Sequence, residues 1–151
     1  MIILISLITI FSYQEKEIDN IRSSYLLASS SEANCNRLGE ILNKRNNKSS
    51  PLIIGYKGCY YLIKCKFIKN PINKVAYFKK GRRLLEYAIK KHPTLVELRF
   101  IRYTVQIHMP KYLMYHNSIE KDISFVENNI ESIKDQETQD FITSSLNKIS
   151  K

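Results

Sequence analysis

Apolar residues recur at helical spacing along most of this chain. Near its start, residues 17–28 carry one apolar stripe, formed by Ile18, Ile21, Tyr25 and Ala28. Side chains that are three or four residues apart lie on the same face of a helix. No segment shows a convincing strand pattern with a period of two. The pattern therefore predicts an all-α protein.

Serine and proline indicate where the next helices begin. Ser31 is a good N-cap for a second helix, and Pro51 suits the first turn of a third helix, expected over residues 51–69. Apolar residues occupy two faces of that third helix, which predicts contacts with helices on two sides. Asn-Pro at residues 70–71 predicts a turn. Residues 72–92 are predicted to form a fourth helix, and one of its two apolar stripes is Val75, Phe78, Leu85 and Ala88.

Three further helices are predicted in the second half of the chain. Pro93 ends the fourth helix, and Thr94 caps a fifth that runs to about Ile107. The inward-facing residues of the fifth helix are expected to be Leu95, Leu98, Ile101 and Val105. Ser118 begins a sixth helix, and residues 136–149 form a seventh. We therefore expect an array of about six to seven helices that pair as antiparallel hairpins.

Small residues and a proline in the middle of the chain resemble a tetratricopeptide repeat. Each repeat in that family is a pair of antiparallel helices with small residues where the helices cross. The third predicted helix matches the first helix of a repeat at Ile54, Gly58 and Tyr61. The fourth predicted helix and the proline after it match the second helix of the repeat at Gly81, Leu85, Ala88 and Pro93. The resemblance implies a right-handed superhelical array, with close approach of two helices at Gly58 and Gly81.

The chain begins with an apolar run, MIILISLITIF. This run is too short to span a bilayer, which needs about 20 residues, but it has the length of a signal-peptide core. We predict a signal peptide over residues 1–14, one helical-repeat domain over residues 15–151, and a periplasmic or secreted protein. A buried N-terminal helix or strand is the alternative. The chain also resembles small secreted helical proteins of unassigned role from Gram-negative bacteria. That resemblance implies an exported helical-repeat protein, and no activity can be transferred from it.

Positive charge is concentrated in the middle of the chain. The net charge is +10, and residues 64–111 contain thirteen basic and two acidic residues. A field of this sign favours anionic partners. If the outward faces of the fourth and fifth helices lie together, they form one cationic binding surface from Lys79, Arg83, Lys90, Arg99 and Arg102. The alternative is that the lysines are only solvated and that Glu97 pairs with an arginine internally.

Motifs for catalysis or cofactor binding are missing from the sequence. The three histidines lack metal-site spacing, and neither a Gly-rich phosphate loop nor a G-x-S-x-G motif occurs. On one helix, Cys59 and Cys65 would be roughly 9 Å apart, too far for a disulfide. We expect both, and Cys35, to be buried as small apolar groups. We therefore expect no enzyme activity, no metal and no cofactor.

These features favour a non-enzymatic helical-repeat binding or scaffold protein of the bacterial envelope. Its basic side would bind a protein or acidic peptide partner, or an anionic lipid surface. The alternative is an intracellular nucleic-acid-binding protein that uses the basic central helices, an interpretation that export would argue against. A hydrolase with an unusual site is a third hypothesis.

Export predicts a shortened protein in the native host. Fractionation followed by intact-mass analysis should find a mature species that begins near Gln14 or Glu15 in the periplasm. A full-length cytoplasmic species would contradict the signal peptide and would make residues 1–11 part of the fold.

Overall fold

The computed structural model describes residues 16–44 and 50–150. Throughout these ranges all regular structure is helical and no strand occurs, which confirms the predicted all-α class. The first helix, α1, covers residues 16–27. The others are α2 (Glu32–Asn43), α3 (Pro51–Lys64), α4 (Pro71–Lys91), α5 (Val96–Ile107), α6 (Ile119–Asn129) and α7 (Gln136–Ile149), with short 3-10 helices at Lys111–Leu113 and Ile130–Ser132.

The predicted signal peptide, residues 1–14, lies outside the described residues. Among the helices that are described, none combines the length and the apolar character that crossing a bilayer requires.

The predicted helix starts at Ser31 and Pro51 are confirmed, whereas the predicted cap at Thr94 is wrong. The Ser31 hydroxyl accepts a hydrogen bond from the Asn34 amide at 3.1 Å and caps α2, and Pro51 occupies the first turn of α3. Thr94 does not cap α5, because the chain is still turning there. The Leu95 amide donates to the His92 carbonyl oxygen at 3.2 Å, and the helix begins at Val96.

The third helix is shorter than its apolar pattern predicts. It ends at Lys64 rather than at residue 69. Beyond that point the Lys66 and Phe67 amides donate to carbonyls three residues back, both at 3.0 Å, so the chain tightens into turns. Because α3 is short, the first turns of α4 extend past its end. Val75, predicted to face the core, is instead 51% exposed.

Neighbouring helices pair in antiparallel fashion. In the α3–α4 pair, Gly58 lies beside Leu85 and Gly81 beside Leu62, so residue numbers rise along one helix and fall along the other. The α5–α6 pair shows the same order, with Arg102 bonded to Asp122 and Gln106 to Ser118. In the α2–α3 pair, Lys64 binds Glu32 while Tyr60 lies against Gly39.

The α3–α4 crossing depends on two glycines. A Cβ atom at Gly58 would lie 2.9 Å from the Gly81 carbonyl oxygen and 2.8 Å from the Leu85 amide nitrogen. A Cβ atom at Gly81 would lie 2.7 Å from the Gly58 carbonyl oxygen. Backbone therefore touches backbone, and no larger residue fits unless the helices separate. The predicted close approach at Gly58 and Gly81 is confirmed.

A buried ion pair connects four helices. Arg22 of α1 donates to both oxygens of Glu97 of α5, from Nε to Oε1 at 2.9 Å and from Nη2 to Oε2 at 2.7 Å. Tyr56 of α3 donates to Glu97 Oε1 at 2.6 Å, and Arg22 also donates to Thr138 of α7. Glu97 is 2% exposed and Arg22 5%. Burial alone would lower the pKa of Arg22, but the hydrogen bonds and charge of Glu97 outweigh it and raise that pKa.

Around this ion pair lies one hydrophobic core to which every helix contributes. The predicted apolar stripes of α1 and α5 are confirmed: Ile21, Ala28, Leu98 and Ile101 are fully buried. The rings of Tyr25 and Tyr56 pack edge to face, 5.3 Å between centroids.

Replacing Gly58 with alanine should destabilise the protein, although alanine favours helices by about 1 kcal/mol. The added methyl group meets two backbone atoms of α4, so we expect a net loss of about 2 kcal/mol, measured by urea unfolding. Gly39→Ala is the matched control. There the three atoms nearest to the new Cβ all belong to the partly buried side chain of Tyr60, whose far end can move, so the loss should be smaller. Equal losses in the two variants would contradict the backbone crossing.

Candidate functional site

Three of the five predicted binding cations lie together on the outer face of α4. Lys79, Arg83 and Lys90 are exposed, and their spacing places them within about 40° of one another around the helix axis. None of the three makes a hydrogen bond, ion pair or ring contact with another described residue. We call this surface the α4 cationic face.

Arg102, the fourth predicted cation, lies in the interior. It is 5% exposed and binds both oxygens of the fully buried Asp122 of α6, at 2.6 and 2.8 Å. It also donates to Glu86 of α4 at 2.7 Å, and Glu86 accepts from the Tyr115 hydroxyl at 2.6 Å. Burial alone would lower the pKa of Arg102, but hydrogen bonding to Asp122 raises it overall. Arg102 therefore holds α4, α5 and α6 together.

Arg99, the fifth predicted cation, has the same internal role. It donates to Asp122 at 3.2 Å and to the Pro93 carbonyl oxygen at 3.3 Å, and its guanidinium lies 5.2 Å from the centre of the Phe125 ring. The structure therefore does not bring the five cations together on one surface. The reason is Asp122, whose buried carboxylate requires positive partners from α5.

Glu97 does pair with an arginine internally, as the alternative interpretation of the sequence had it. Its partner is Arg22 of α1, and neither Arg99 nor Arg102 contacts it.

Apolar side chains are exposed along the same helix as the α4 cationic face. Ile72 is 78% exposed and Tyr87 51%, and both lie near the outer face by helical spacing. The one carboxylate in this helix, Glu86, is bonded to Arg102 and Tyr115. The outer side of α4 therefore offers positive charge next to apolar surface.

A second candidate is a cavity of about 660 Å³ where α1, α3, α5 and α7 end. Volumes of this size are typical of small-molecule sites. We call it the apolar pocket, because most of its wall is carbon. Its apolar lining residues are Tyr25, Leu26, Leu62, Ile63, Cys65, Phe100, Val105, Met109, Pro110, Tyr112, Leu113 and Ile149.

Among the described residues, the charged side chains that line the apolar pocket are all basic. They are Lys66, Lys74 and Lys148, and no aspartate or glutamate of residues 16–44 and 50–150 lines it, while His108, Ser29, Thr104 and Ser145 complete the wall. Lys66 donates to the Ser29 carbonyl oxygen at 2.8 Å. Lys74 and Lys148 have no ion pair with any described residue. Sequence analysis missed this site because its lysines are spread over 83 positions of the chain, and no local pattern relates them.

The three cysteines are buried, as predicted, and are present as free thiols. Burial raises the pKa of Cys35 to about 11 and that of Cys59 further still, so these thiols stay protonated near neutral pH. Within residues 16–44 and 50–150, no cluster of histidine, cysteine and carboxylate side chains is arranged to hold a metal ion.

Comparison of this chain with family models, with curated proteins and with solved structures found no match.

Arg102 and Arg83 should respond differently to replacement. Arg102→Ala leaves the buried Asp122 without its bidentate partner, so we expect a loss of about 3–5 kcal/mol in the free energy of unfolding. Arg83→Ala, on the exposed face, should change stability by less than about 0.5 kcal/mol. Urea unfolding monitored by circular dichroism measures both. If Arg102→Ala left the free energy of unfolding unchanged, this arginine would not be a structural group.

Proposed function

We propose that this protein is a non-enzymatic binding or scaffold protein that holds an acidic segment of a protein partner on the α4 cationic face. The observation that carries the proposal is the separation of its cations into two groups. Arg99 and Arg102 neutralise Asp122, whereas Lys79, Arg83 and Lys90 point outward without a partner among the described residues. Unpaired cations on one face attract anionic ligands and accelerate encounter with them.

An acidic protein segment suits this surface better than a purely electrostatic ligand. Ile72 and Tyr87 are exposed beside the cations, and tyrosine at the edge of a charged patch is typical of protein interfaces. Glu86 is held by internal hydrogen bonds, so it does not neutralise the face. A partner helix or peptide with glutamates and apolar residues would complement both features.

The finer architecture belongs to the same proposal. We infer a tetratricopeptide-like scaffold, supported by the antiparallel α3–α4 and α5–α6 pairs and by the glycine crossing at Gly58 and Gly81. One departure distinguishes it from an open array. Arg22 joins α1 directly to α5 and α7, whereas units of a solenoid contact only their neighbours. A location in the envelope rests on the predicted signal peptide.

Nucleic-acid binding is the second candidate, favoured by the net charge of +10 and the pI of about 9.5. The two candidates differ in their response to salt and in their ligand. If three cations each neutralise a phosphate of duplex DNA, a plot of the logarithm of the binding constant against the logarithm of salt concentration should have a slope of about −2.7.

Replacing the three cations should abolish binding of an acidic peptide. The probe is a fluorescent glutamate-rich peptide with interspersed leucines, followed by anisotropy at low and physiological salt. In the variant Lys79→Gln, Arg83→Gln and Lys90→Gln, we expect affinity to fall at least about tenfold, because three favourable charge contacts are lost.

A control variant with the same net charge distinguishes the contribution of the α4 cationic face from that of the protein's overall electrostatic field. It carries three exposed cations from other helices and loops replaced by glutamine: Arg37, Lys121 and Lys134. This control should keep most of the affinity. Equal loss in both variants, or tight binding of duplex DNA or anionic vesicles without binding of the peptide, would contradict the proposal.

A further inference from the structure

We propose that the apolar pocket binds one fatty acid, with the hydrocarbon tail against the apolar wall and the carboxylate at the lysines. This site is separate from the α4 cationic face, since none of Lys79, Arg83 and Lys90 lines it. The two proposals can therefore fail independently.

The wall of the pocket fits a hydrocarbon chain. It is formed by the ends of four core helices and by the segment around the 3-10 helix Lys111–Leu113, which contributes Tyr112 and Leu113 to the lining. Tyr112 is 75% exposed and Leu26 is 45% exposed. Large apolar side chains that remain this accessible around a cavity typically mark a ligand site, because burying them removes apolar surface from water.

The charged side chains of the pocket favour a ligand whose head group is negatively charged. Lys66, Lys74 and Lys148 contribute positive charge, and no carboxylate from the part of the chain that the structure describes lies in the lining to neutralise it. The carbonyl ends of α1, α3, α5 and α7 also lie in this region. Each helix end is equivalent to only about half a negative charge and is effective over one turn, so the full charges of the lysines dominate. An anionic amphiphile is thus favoured over a cationic one with the same tail.

A flexible single-chain carboxylate also suits the wall of the site better than a peptide segment. A bound peptide would bring backbone amides and carbonyls along its whole length against a wall that is mostly carbon, and unpaired buried polar groups are unfavourable. A fatty acid has polar atoms only at one end, where the lysines can meet them.

The test is titration calorimetry of the full-length protein with decanoate, dodecanoate and dodecyltrimethylammonium, each below its micelle concentration. We expect one site per chain and about fourfold tighter binding for each added methylene, hence about fifteenfold from decanoate to dodecanoate. The cationic amphiphile should bind at least about tenfold more weakly than dodecanoate. Several weak sites per chain, no dependence on chain length, or equal binding of both head groups would overturn the proposal.

Two variants with the same net charge test whether the carboxylate of the fatty acid binds at the pocket lysines. Replacement of the pocket lysines by glutamine, at Lys66, Lys74 and Lys148, should weaken dodecanoate binding about tenfold or more. Replacement of three exposed lysines outside the pocket, at Lys44, Lys121 and Lys134, should not.

Before titration, circular dichroism and urea unfolding are used to check that each variant is folded. Because all six positions are at least partly exposed, both variants should fold like the parent protein. Unchanged binding in the pocket variant, or equal loss in the control, would overturn the assignment.

Discussion

The carboxylate of Glu97 lies in the interior, and four helices are positioned around it. Arg22 reaches it from α1 and Tyr56 from α3, while the same arginine extends to Thr138 of α7. A buried carboxylate that loses its partners costs several kcal/mol. α5 can therefore pack only where the other helices supply those donors. This requirement fixes the relative positions of α1, α3, α5 and α7 more strictly than non-directional apolar contact could.

Asp122 applies the same constraint on the other side of α5. Its carboxylate is fully buried, and it binds Arg102 and Arg99, while Arg102 continues to Glu86 of α4. The buried carboxylates thus bind some of the chain's arginines in the interior, where these arginines stabilise the fold. Cations that remain outside, including those on α4 and around the apolar pocket, are available to ligands. The two proposed sites follow from this division, since the interior decides which basic residues are free.

Much of the helical structure could be predicted because its causes are local. The Ser31 cap, the first-turn position of Pro51 and the buried stripes of α1 and α5 each depend on residues a few positions apart. The glycine crossing was also predictable, because only glycine allows two helix backbones to touch. The errors lie at ends and edges: α3 stops early, Thr94 remains in a turn, and Val75 has no helix to pack against. In those places neighbouring structure, not the local pattern, decides the outcome.

The sequence by itself determined the all-α class, most of the helix spans and the concentration of positive charge in the middle of the chain. Only the tertiary structure decided which charges act inside and which face outward. Arg22 and Glu97 are 75 positions apart, and Arg102 and Asp122 are 20 apart on different helices. The apolar pocket likewise needs the ends of four helices to meet. Helix periodicity depends on neighbours within one or two turns, whereas ion pairing and cavity formation depend on which distant segments pack together.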